Sequence, residues 1–93
     1  MSKIDEKFYD RADEHINLSN SQVKGNVNVG EVSASMMFGL SRFNAFMSAI
    51  GCKNAIELEN AKEKNIKYFT TQYEKMLREN VQDYIDNFEK YMK

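Results

Sequence analysis

Not one of the 93 residues is proline. A chain without proline has no ring to interrupt a helix and none of the turn punctuation of short-stranded β domains. The apolar residues repeat at helical spacing along nearly the whole length, so the expected fold is all-α. Ile4, Phe8, Ala12, Ile16 and Val23 form a first stripe, with Ser19 in the gap. It predicts a helix over 4–22, with Ser2 and Asp5 as a capping pair. KGNVNVGEVS follows, with two glycines and two asparagines, and reads as a loop whose valines tuck onto the core.

Ser33 is the expected cap of a second helix over 34–50. Met36, Leu40, Phe43, Met47 and Ile50 stripe one face, and Met37, Phe38, Ala45, Phe46 and Ala49 spread apolar character further round. Such a helix belongs at the centre of a bundle. Gly51 suits the position just past its end. Asn54 and Glu57 make a further capping signal. The polar run 59–65 is a candidate break. Beyond it Ile66, Phe69, Tyr73, Met76, Leu77, Val81, Tyr84, Ile85, Phe88 and Tyr91 predict a helix to the C-terminus.

These elements make one domain over 1–93, a bundle of three main helices with a long C-terminal one. A helix over 63–91 would span about 44 Å, and one over 34–50 only about 26 Å. The last helix should overhang, leaving Tyr84, Ile85, Phe88, Tyr91 and Met92 for a partner. A homo-oligomer, most simply a dimer, is the expectation, and a different protein partner is the alternative use of that surface.

Charge excludes some functions. Residues 1–24 hold four basic and five acidic side chains, 25–52 one of each, and 53–93 eight of each. No basic patch stands ready for nucleic acid or an acidic membrane surface. The apolar run 36–50 is broken by Gly39, Ser41, Arg42, Asn44 and Ser48, so it is a core helix and not a membrane span. The N-terminal residues have no apolar signal region. Cys52 is the only cysteine and forms no intrachain disulfide, which suits the cytoplasm. It follows Gly51 at a helix end and reads as a small incidental residue. No phosphate-loop, dinucleotide, zinc-protease or serine-hydrolase motif is present, and one His with one Cys makes a poor metal set. No cofactor is expected.

Two polar clusters stand out. Asp10, Asp13, Glu14 and His15 crowd the first helix, where a carboxylate could tune His15 as an acid or base. A solvated helix face is the simpler reading. Arg42 and Asn44 sit in the most apolar helix. Arg42 must reach water or a carboxylate, with Asp13 or Asp10 the expected partner. Such a pair would pin two helices together, or it would line an anion or carboxylate pocket. A small-ligand site or minimal active site of Arg42, Asn44, Asp13, His15 and Asp10 is therefore the rival to a non-enzymatic interaction module.

FYDRADEHINLSN, VSASMMFGLSRFNAF and YFTTQYEKMLRENVQDYIDNF resemble the three blocks of a short bacterial family of unknown function. The likeness covers most of the chain. It implies a helical fold and a bacterial source, and it brings no activity, ligand or catalytic residue.

Overall fold

A computed structural model describes residues 5–93, so the expected roles of Ser2 and Ile4 lie outside the described residues. Four helices follow in order: α1 (Phe8–Gln22), α2 (Val29–Ile50), α3 (Ala55–Asp86) and α4 (Phe88–Met92). No strand occurs among the described residues. The chain divides into two compact units, Met1–Phe43 and Asn44–Lys93, with the division inside α2.

In the first unit Asp5 anchors the start of α1. Its Oδ1 accepts the Lys7 N–H at 3.0 Å, its carbonyl accepts the Phe8 N–H at 3.0 Å, and its Oδ2 takes Arg11 Nη2 at 2.7 Å. Helical geometry begins at Phe8, because the backbone of 5–7 is used in this turn. The Arg11 guanidinium holds the Asp5 carboxyl below its usual range. Both side chains are about half exposed, so the pair contributes little to stability.

The connection from α1 to α2 turns at Gly25, whose φ of +59° lies in the left-handed region. Helix α2 then starts five residues earlier than the Ser33 cap would place it. Asn28 and Glu31 form a reciprocal capping box. The Glu31 N–H donates to Asn28 Oδ1 at 2.9 Å, and the Asn28 N–H donates to Glu31 Oε1 at 2.9 Å. This satisfies two backbone donors that a helix start otherwise leaves without partners. Val29 and Val32 are therefore helical. Val32, at 5% exposure, is the one buried residue among those described, while Val27 and Val29 stay exposed. Side chains link α1 to α2 through the Ser19 hydroxyl, 2.7 Å from the Met36 sulfur.

In the second unit α2 ends at Ile50 without a left-handed glycine, since Gly51 has no positive φ. The Cys52 N–H donates to the Ala49 carbonyl at 3.0 Å. Asn54 then caps α3 as its sequence pattern predicts. Its Oδ1 accepts the Glu57 N–H at 2.9 Å, and Glu57 Oε1 accepts the Lys53 N–H at 2.8 Å. Helix α3 runs unbroken through 59–65 for 32 residues, about 48 Å. The polar run holds because Glu, Ala and Lys are strong helix formers. Leu58, Ala61, Asn65, Phe69 and Gln72 also keep one half-buried stripe through it.

The helix ends at Asp86 and not near residue 91. Asn87, at φ −125° and ψ 29°, interrupts it before the single turn of α4.

The two glycines predict opposite outcomes. Gly25→Ala forces a Cβ into a left-handed conformation and should lower stability by about 1–2 kcal/mol. Gly51→Ala meets only the Ser48 carbonyl at an ordinary 3.8 Å and should be neutral or mildly stabilising. Paired thermal melts of the two variants check this.

Candidate functional site

The polar cluster is the first candidate. Asp10, Asp13 and His15 lie on α1 and Arg42 on α2, and all four are exposed. None of these four side chains makes a hydrogen bond or ion pair among the described residues. Helix geometry explains why Asp13 and His15 do not meet: positions two apart point to nearly opposite sides. The expected pin from Arg42 to Asp13 or Asp10 is not formed. Arg42 projects into solvent, where its charge stays hydrated and needs no carboxylate. Asn44 is half-buried, and its carbonyl accepts the Ser48 hydroxyl at 3.1 Å. No three His, Cys, Asp or Glu side chains among the described residues are placed to hold a metal ion. Cys52 is a free, half-buried thiol directed to the Ser48 carbonyl.

The C-terminal region has more organised geometry. Asp83 is its acceptor centre. Its carbonyl takes the Asn87 backbone N–H at 3.0 Å, and its Oδ1 takes Asn87 Nδ2 at 2.9 Å. Its Oδ2 takes the Tyr91 hydroxyl at 3.0 Å. Tyr91 thus reaches back along α3, and its ring lies 4.8 Å from that of Tyr84 at a tilt of 49°. The Asp83 carboxylate raises the Tyr91 phenol above its ordinary 10.0, since losing the proton would break the bond and set two negative charges together.

Tyr84, Ile85, Phe88, Tyr91 and Met92 are all exposed, and α3 and α4 share them. The clasp joining Asp83, Asn87 and Tyr91 was not anticipated. Its signal is the four-residue spacing of Asp83 and Asn87, which aligns side chains along a helix; Tyr91 lies past the break at Asn87.

On α3 the side chains of Glu74, Leu77, Arg78, Val81 and Gln82 border a shallow open depression. Glu74 and Arg78 are bridged at 2.8 Å beside it. No helix among the described residues is long and apolar enough to cross a membrane.

The chain belongs to the family described as "Protein of unknown function (DUF3144)", whose model matches residues 8–85. It is similar to the protein NB7890A from Shewanella sp, solved by NMR, with 36% identity and a TM-score of 0.79. The match covers 98% of this chain and 96% of that one. No curated protein matches.

Two outcomes follow from this geometry. Arg42→Leu should change stability by less than about 0.5 kcal/mol, as for an unpaired surface residue; chemical denaturation measures it. In an absorbance titration, Tyr91 should ionise above the ordinary tyrosine range, and Tyr91→Phe should remove that late step. Asp83→Asn should bring it back toward the ordinary range. The neutral phenol is the bonded form. Its contribution is therefore complete below the unfolded pKa near 10 and is lost as pH rises through the higher folded value.

Proposed function

We propose that this protein is a non-enzymatic interaction module that associates with itself through its C-terminal helical region. The observation that supports this most is the apolar surface at that end. Ile85 is 61% exposed, Phe88 57% and Met92 59%, beside the exposed rings of Tyr84 and Tyr91. No residue of the Asn44–Lys93 unit is buried. Contiguous apolar surface of this kind marks an interaction site in a protein of balanced charge. A symmetric pair of copies using one patch twice is the simplest closed assembly. The lone Cys52 accords with a reducing cytoplasm, and the likeness to the Shewanella protein accords with a bacterial source. The rival reading, a ligand site around Arg42 and Asp13, would need side chains that converge, and its exposed members make no hydrogen bond or ion pair with one another among the described residues.

Sedimentation tests the reading. The unmodified chain of 10.9 kDa should sediment as twice that mass at tens of micromolar. Ile85→Glu combined with Phe88→Glu should give the monomer. Tyr91 is left in place, since its loss would also open the Asp83 clasp. A clean monomer for the unmodified chain would remove the proposal.

A further inference from the structure

Helix α3 carries two stripes. The first is the half-buried row of Leu58, Ala61, Asn65, Phe69 and Gln72. The second, about 100° further round the helix, is Ile66, Thr70, Tyr73, Leu77, Val81 and Tyr84; Phe88 follows at the same spacing in the sequence, past the break at Asn87. Every member of the second is exposed.

The spacing of this second stripe is symmetric about Leu77. Its steps run 4, 3, 4 from Ile66 to Leu77 and 4, 3, 4 from Leu77 to Phe88. An identical helix turned end for end about Leu77 presents its apolar positions at the same heights. Tyr73 then lies level with Val81 of the other copy, and Thr70 with Tyr84.

The bordering charges fit the same reversal. Glu74 and Arg78 lie on one flank of the stripe, on either side of Leu77. In an antiparallel pair like flanks face each other, so Glu74 of one copy comes beside Arg78 of the other. The depression is bordered by Glu74, Leu77, Arg78, Val81 and Gln82, and the first four have the i, i+3, i+4, i+7 outline of a hole that receives one side chain from a facing helix. Under this symmetry the side chain nearest to it is Leu77 of the second copy.

We propose that two copies of α3 pack antiparallel along this stripe, with the twofold axis at Leu77. This rests on the self-association reading and specifies its geometry. The exposed apolar area sets an upper bound of the right order for a stable contact. Six apolar side chains at about half exposure offer roughly 600–700 Å² per copy. Met76 and Ile85 beside them bring it to about the 800 Å² per partner of a standard stable interface.

The test uses the full chain with Cys52→Ser and single new cysteines, treated with a short thiol–thiol cross-linker. Circular dichroism and sedimentation are run first on each variant. Leu77→Cys should cross-link to itself. Ile66→Cys should not, since the two copies of that residue would lie about 33 Å apart along the axis. A mixture of Tyr73→Cys and Val81→Cys chains should cross-link to each other. Self-linkage of Ile66→Cys as efficient as that of Leu77→Cys would mean parallel helices and overturn the proposal. A dimer by sedimentation with no cross-link at any position would place the contact elsewhere, overturning this geometry while self-association stands. A monomer throughout overturns both.

Discussion

A helix satisfies its own backbone hydrogen bonds, but in water its stability comes mainly from packing an apolar face. Helix α3 has 32 residues, and its own unit offers only the last turns of α2 and the single turn of α4. The half-buried row on α3 ends at Gln72. From there to Asp86 the apolar residues continue, but no half-buried row runs beside them. The surface proposed for self-association lies in this stretch of exposed apolar residues.

Capping chemistry sets the helix boundaries, and it explains what the sequence disclosed and what it hid. Asn54 and Glu57 stood alone as a signal and were legible. Asn28 and Glu31 have the same chemistry, but they sit among alternating valines and beside Gly30, which read as a loop. The local hydrogen bonds prevail there because a helix start has donors to satisfy and an Asn–Glu box satisfies two at once. Run 59–65 was misleading in the opposite way. Its polarity suggested a break, yet polarity alone does not end a helix whose residues have high intrinsic propensity. The helical class and the long last element were legible from the spacing alone. Gly51 was not, because a glycine past a helix end does not by itself impose the left-handed conformation.

The expected polar site shows where spacing stops being informative. Crowding of Asp10, Asp13, Glu14 and His15 in the chain does not bring them together in space, because a helix fans neighbours around its axis. Arg42 looked costly because its sequence neighbours are apolar. A helix enclosed on every side would carry that cost, whereas Phe38, Phe43 and Phe46 around Arg42 are themselves exposed. With the surroundings hydrated, the guanidinium has no desolvation to offset, and the reason for a carboxylate partner disappears.

The Asp83 clasp bears on why the C-terminal end can serve as a surface at all. A terminal turn of five residues is too short to hold its shape by helix propagation. Asp83 supplies what propagation lacks, accepting from the Asn87 backbone, the Asn87 side chain and the Tyr91 hydroxyl. These bonds lie along one flank of α3, so the polar atoms are satisfied beside the apolar stripe and not across it. Tyr91 is thereby fixed against Tyr84, and the turn that carries Phe88 and Met92 is ordered before any partner arrives. Association then orders fewer side chains than a frayed terminus would require, which lowers the entropy cost of forming an interface.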